Sequence, residues 1–119
     1  MRIVHVYKDY HPPVRGGIEQ TLERMARWQV AAGHEVTVLV SASGERKSRV
    51  DHIAGVRVVR VGEWARALSS PLCPGFPAAL ARERADLWHL HSPNPLGELS
   101  FQLVKPAGAM LFTYYCDLS

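Results

Sequence analysis

The sequence predicts an α/β fold: an open, mainly parallel sheet of order 3-2-1-4-5 with helices on both faces. Three observations carry this. Short runs rich in β-branched or aromatic residues, each bounded by turn residues, read as strands. Between them lie segments whose apolar residues recur at helical spacing. Strands alternating with helices imply βαβ units, joined by right-handed crossovers into a parallel sheet.

"RIVHVY", Arg2 to Tyr7, ends at a turn and reads as a buried first strand. From Gly17 to Ala32, the residues Ile18, Leu22, Met25, Ala26 and Val30 form the apolar stripe of a helix. Gly33 stands where a left-handed residue closes the last turn. "EVTVLV", Glu35 to Val40, is the second strand, and Ser41 to Arg49 is a polar loop. "GVRVVRV", Gly55 to Val61, sets Val56, Val58 and Val61 against Arg57 and Arg60, which suits a half-exposed edge strand. Gly62 to Pro77 holds three prolines and receives no assignment. "PAALARERA" from Pro77 is a short helix with proline at a permitted early position. "DLWHLH", Asp86 to His91, is the fourth strand, "SPNP" a turn, and Pro95 to Val104 a helix. "GAMLFTYY", Gly108 to Tyr115, is the last strand. No helix follows to cover it, and an uncovered strand is a liability. The expectation is a chain truncated after its fifth strand, with Met110, Leu111 and Phe112 partly exposed and the fragment prone to self-association.

A chain of 119 residues with 47% hydrophobic and 21% charged residues fits one ordinary folded domain. No apolar run approaches the ~20 residues that a membrane-spanning helix needs. "MRIVHVYKDY" lacks the apolar stretch and cleavage site of a signal peptide, and Cys73 and Cys116 are isolated. A reduced, cytoplasmic protein is the expectation. The net charge of +3 gathers partly in "GERKSR" and "ARER", which read as a solvated loop and a helix end. No zinc-finger spacing, aromatic RNA-binding signature or basic amphipathic helix supports nucleic acid as a partner.

In open parallel sheets, ligands gather beyond the carboxyl ends of the strands, near the point where strand order reverses. Three segments should meet there: Lys8 to Gly17, "HSPNP" and "TYYCD". Gly16 and Gly17, at the start of a helix, would let a ligand approach the backbone, and free amides there favour an anion. The same pair also suits a tight turn needing positive φ, and spacing does not choose between them. Neither GxGxxG nor a Walker loop is present. His89 and His91 share one face of a strand, but no further Cys, His or acid motif completes a metal site, so none is expected. His91 reaches the strand end, where Ser92 and Asn94 can donate hydrogen bonds, although "SPNP" equally suits a turn and helix start. Trp28 and Trp88 read as packing residues.

"HVYKDYHPPVRGGIEQTLERMARWQVAAGHEVTVLV", "GVRVVRV", "ADLWHLHSPNP" and "FTYYCDLS", in this order, resemble the family-4 retaining glycosyltransferases. The PPxxGGIE and GHEVTVL segments with the downstream HxHSP carry the resemblance, which covers nearly the whole chain. It implies that residues 1–119 are the N-terminal, acceptor-side Rossmann-like domain of a two-domain GT-B enzyme whose C-terminal donor domain is absent. Such an enzyme moves a sugar from a nucleotide-diphosphate sugar to a carbohydrate or lipid-linked acceptor, retaining configuration, without metal or other cofactor. By the same resemblance, Gly16 and Gly17 approach the donor diphosphate, Glu19 starts the following helix, and His91, Ser92 and Asn94 line the acceptor side. The family's histidine near the reacting sugar is replaced here by Tyr115, which can donate a hydrogen bond but carries no positive charge at neutral pH. The family's paired glutamates, seven residues apart, do not occur in this chain. The fragment alone is expected to be inactive, half of an active site, with peripheral membrane contact among the implied associations.

The reading from a different class is a stand-alone flavodoxin-like binding or interaction module without catalysis. A self-contained module should finish its sheet, and the bare last strand favours the enzyme. An NAD-dependent oxidoreductase does not fit the first glycine loop.

Overall fold

Three helices flank a six-stranded sheet in the computed structural model, which describes residues 1–11, 16–67 and 70–115. In chain order the elements are β1 (Arg2–Val6), α1 (Gly17–Ala31), β2 (Glu35–Ser41), β3 (Arg49–Ile53), β4 (Val56–Val61), β5 (Ala65–Ala67), β6 (Ser70–Leu72), α2 (Phe76–Arg82), β7 (Leu87–Ser92), α3 (Pro95–Val104) and β8 (Ala109–Tyr114). The sheet runs β3-β4-β2-β1-β7-β8, and every neighbouring pair is parallel except β3 with β4. β5 and β6 form a separate antiparallel pair.

Alternation along the strands sends the two sets of side chains to opposite layers. Val36, Val38, Val40, Val56 and Val58 face α1, whose Leu22 and Ala26 are buried against them. Val4, Val6, Leu39, Val61, Trp88 and Leu90 face the other way and pack with Phe76 and Leu80 of α2 and Phe101 of α3. α1 has the apolar stripe its sequence implies and ends as expected, with Gly33 at φ +94°. Asn94 caps α3, its side-chain oxygen accepting from the Gly97 amide at 3.4 Å.

The structure corrects the sequence reading at three places. β4 is no edge strand, because β3 pairs with it through a two-residue turn in which Ala54 and Gly55 both have positive φ. Asp51 and His52 interrupt β3's apolar pattern, while left-handed Ala54–Gly55 is the hairpin signal that "AG" does not announce strongly. Arg60 therefore does not project into water. It lies fully buried on the α1 face, donating from Nε to Asp51 at 2.8 Å, and this bond is the main reason the Asp51 carboxyl sits below the usual carboxylate range. The third correction is Trp28, which is 75% exposed on the outer side of α1 rather than packed. Cys116 lies outside the described residues. Met110, Leu111 and Phe112 of β8 are exposed, as expected.

The small β5–β6 sheet is tied to the main one by charge. Arg66 forms a bidentate pair with Asp9, at 2.7 and 3.2 Å, and donates to Glu63 at 2.7 Å. Asp9 and Glu63 are both buried, and Ser43 and the Gly44 amide donate to the same two carboxylates. Removing the cation leaves two buried acids facing each other without a counter-charge. Arg66→Ala should lower unfolding stability by about 2–3 kcal/mol, below the value for a fully buried pair because Arg66 is partly solvated. Urea unfolding midpoints of wild type and variant test this, and equal midpoints would reduce the cluster to a surface ion pair.

Candidate functional site

β1 lies between β2 and β7, so the chain leaves the sheet in opposite directions on its two sides and opens a crevice at their carboxyl ends. A cleft of about 640 Å³ occupies this place, lined by Tyr7, Lys8, Gly17, Ile18, Thr21, Pro93 and Tyr115. Described residues of all three segments expected to meet do so: Lys8 and Gly17 of the first, Pro93 in the turn after β7, and Tyr115 after β8. Residues 12–15 of the first segment lie outside the described residues.

The two glycines turn out to serve different ends. Gly16 is extended, at φ −114°, and Gly17 begins the helix; neither adopts a left-handed backbone, so the tight-turn explanation fails. A Cβ on Gly17 would meet nothing within 4 Å, so its bareness leaves space in the cleft. A Cβ on Gly16 would instead run into the Glu19 carboxylate at 2.5 Å. Glu19 is buried and folded back over the helix start, so its negative charge already answers the positive end of α1.

Behind Tyr115 stands a group that sequence spacing did not assemble. His5 of β1 joins His89 and His91 of β7 on the α1 face of the sheet. His5 Nε2 lies 2.7 Å from Gln29 Oε1, His5 Nδ1 lies 2.9 Å from His91 Nε2, and His91 Nδ1 lies 2.8 Å from the Tyr115 hydroxyl. His89 stacks on His91, with ring centroids 4.0 Å apart, and bonds Thr113 through Nε2 at 2.7 Å. Burial is the chief cause that lowers all three imidazoles, His5 to about 4 and His91 to about 2, and for His5 and His91 the neighbouring rings add to the effect. All three are neutral at pH 7. Burial raises the Tyr115 phenol, and burial with the charges of Glu19 and Asp9 raises Tyr7, so both keep their protons.

The donor atoms of His5, His89 and His91 all lie within 4.8 Å of one another, close enough to suggest a metal centre. Both nitrogens of His5 and of His91 and Nε2 of His89, however, are already engaged by Gln29, by one another, by Tyr115 and by Thr113, and a metal held by all three rings would have to displace part of that chain. Ser92 and Asn94 turn inward. Ser92 Oγ donates to Glu98 at 3.1 Å, the Asn94 amide donates to the same carboxylate at 3.0 Å, and the Asn94 side chain caps α3. His91 is buried beneath Tyr115 rather than on the cleft wall. Cys73 is buried and its thiol pushed up to about 11, chiefly by burial, so it is no nucleophile at neutral pH.

Residues 16–113, which span the cleft's glycine wall, the β7 strand with His89 and His91, and most of β8, match the glycosyl transferase 4-like domain. This chain belongs to that family. Among relatives, it is 26% identical over 126 residues to the O-antigen chain mannosyltransferase C of Escherichia coli, covering 99% of this chain and 32% of the relative. A solved sucrose-phosphate synthase from Thermosynechococcus elongatus superposes with a TM-score of 0.66 at 17% identity, over 97% of this chain and 33% of that one. The glycosyl transferase 4-like chain thus spans about a third of the length of both, and the second likeness is one of fold. Its mainly parallel α/β sheet is the architecture expected from sequence.

The neutral histidines give this family member an acid-sensitive face. In the unfolded chain each takes up a proton near pH 6.5, whereas folded His5 resists to about pH 4 and His91 to about 2. Below pH 6.5 the unfolded state binds more protons, so stability falls as pH falls. The slope should approach about 1.4 kcal/mol per pH unit from His91 between pH 6 and 4, with a smaller contribution from His5 that fades toward pH 4. Urea midpoints at several pH values, for wild type and His91→Gln, should show a visibly shallower slope in the variant.

Proposed function

We propose that this chain is the acceptor-side domain of a retaining glycosyltransferase that takes its sugar from a nucleotide-diphosphate donor and passes it to a carbohydrate or lipid-linked acceptor. The observation that carries the reading is the cleft at the switch point of the sheet, walled by Gly17 in a chain of the glycosyl transferase 4-like family. The name of the Escherichia coli relative makes mannose the first sugar to test. In this reading Gly17 admits the donor, Lys8 brings positive charge to the wall, and Tyr115 stands where the family's histidine would meet the reacting sugar.

Among the described residues, the cleft supplies little with which to hold a diphosphate: Lys8 is the cation of its described lining, and Glu19 already occupies the positive end of α1. An exposed helix terminus contributes only about 0.3–1 kcal/mol toward an anion. The donor's phosphates and nucleotide are therefore assigned to a second domain, across the cleft, with neither metal nor further cofactor. Transfer takes place in the cytoplasm, beside a membrane when the acceptor is lipid-linked.

Titration of residues 1–119 with UDP- and GDP-sugars should show no binding tighter than about 1 mM, near −4 kcal/mol. Micromolar affinity would mean a complete site and would favour a stand-alone binding module. In the intact protein, mannosyl transfer from a nucleotide sugar, with the product's anomeric configuration read by NMR, tests the reaction itself. Gly17→Val should leave unfolding stability within about 1 kcal/mol, since the position is helical and open, while reducing donor turnover at least tenfold. Unimpaired turnover would remove Gly17 from the site.

A further inference from the structure

Gln29, His5, His91 and Tyr115 make one continuous hydrogen-bonded chain from α1, across β1 and β7, to the wall of the cleft. The direction of its hydrogens is set at the inner end. Gln29 Oε1 is a carbonyl oxygen and can only accept, so the hydrogen of that bond is on His5 Nε2. A neutral imidazole carries one N–H, so His5 Nδ1 accepts from His91 Nε2–H. By the same count His91 Nδ1 accepts, and the hydroxyl of Tyr115 donates its single hydrogen inward. The ring of Tyr115 is held for this bond by stacking on His91, at 5.7 Å between centroids, and by its amide donating to the Ser92 carbonyl at 3.0 Å.

We propose that this chain fixes the phenol oxygen of Tyr115 as a hydrogen-bond acceptor, so that the cleft selects a neutral hydroxyl at that point and turns away phosphate or carboxylate oxygens. Only lone pairs remain on the oxygen, and an anionic oxygen brought against it would find no hydrogen between them. Tyr115 is the residue that meets the ligand; His5, His91 and Gln29 are positioning residues that act through their hydrogen bonds to one another and to Tyr115. A lone tyrosine on a wall would rotate its hydroxyl to suit either class of ligand, and the buried imidazoles remove that freedom. In resting on the glycosyltransferase reading, the inference adds that the hydroxyl is one of the sugar's own.

Long-range nitrogen–proton spectra of the histidine rings in the intact protein at pH 8 report which nitrogen carries the hydrogen. Nε2–H is expected at both His5 and His91, and Nδ1–H at either overturns the proposal. Gln29→Glu, whose two terminal oxygens only accept, should leave both tautomers as they are. A ring that switches on this substitution would mean that the native chain runs the other way. For the ligand, Tyr115→Phe keeps the ring and loses the oxygen; it should weaken binding of methyl α-mannoside about five- to tenfold and leave inorganic phosphate binding unchanged. Equal glycoside binding, weakened phosphate binding, or no mannoside binding by the wild type counts against the selectivity. The tautomers answer for the direction of the chain and the mannoside for the glycosyl reading, so the two fail separately.

Discussion

The parallel pairing of β1 between β2 and β7 is the constraint on which the rest of this molecule depends. Its register sets Val4 opposite Trp88, His5 opposite His89 and Val6 opposite Leu90. Because side chains alternate across a strand, this places Val4, Val6, Trp88 and Leu90 toward α2 and α3 and the imidazoles toward α1. A slip of one residue would drive the histidines into the dry layer and the valines under Gln29. The same pairing carries the ends of β1 and β7 to one edge, where the cleft lies.

The layer beneath α1 accepts these histidines because they are hydrogen-bonded. Along α1, Ile18, Leu22 and Ala26 face the sheet, and Gln29, the next residue on that side, meets His5 with its amide. A buried polar group without a partner is costly, and one within a complete chain is not. On the opposite face Trp88, Phe76, Leu80 and Leu90 pack together, with the Trp88 indole donating to the Ala107 carbonyl, and Ser41 of β2 meets the Asp9 and Glu63 carboxylates.

The elements that could be read from sequence are those whose signal is local. α3 begins after Asn94 and ends at Val104 as "NPLGELSFQLV" implies, and the five β-branched or aromatic runs all became strands. β3 escaped because Asp51 and His52 serve a hairpin rather than an apolar face, and β5–β6 because Arg66 anchors it through charge, which has no period. His5 was legible as part of a strand but not of the site, since its partnership with His91 spans 86 residues and follows from register. The one signal available was a lone histidine inside an otherwise apolar first strand, facing an HxH pair in a later one. The meaning of Gly16–Gly17 was half legible: the bareness was visible, but not that Glu19 would claim the first glycine and leave the second to the cleft.

The unequal placing of the three tryptophans divides what light can report. Trp28 and Trp64 already stand in water, the latter with the Arg46 guanidinium 5.3 Å from its ring centroid, so unfolding changes their surroundings little. Trp88 is enclosed, edge-on to Phe101 at 5.8 Å. A red shift of the emission is therefore a signal from the α2–α3 layer. Loosening confined to α1 and the imidazoles would leave the fluorescence quiet while helical circular dichroism declined, and a mismatch between the two signals would locate the face that yields first.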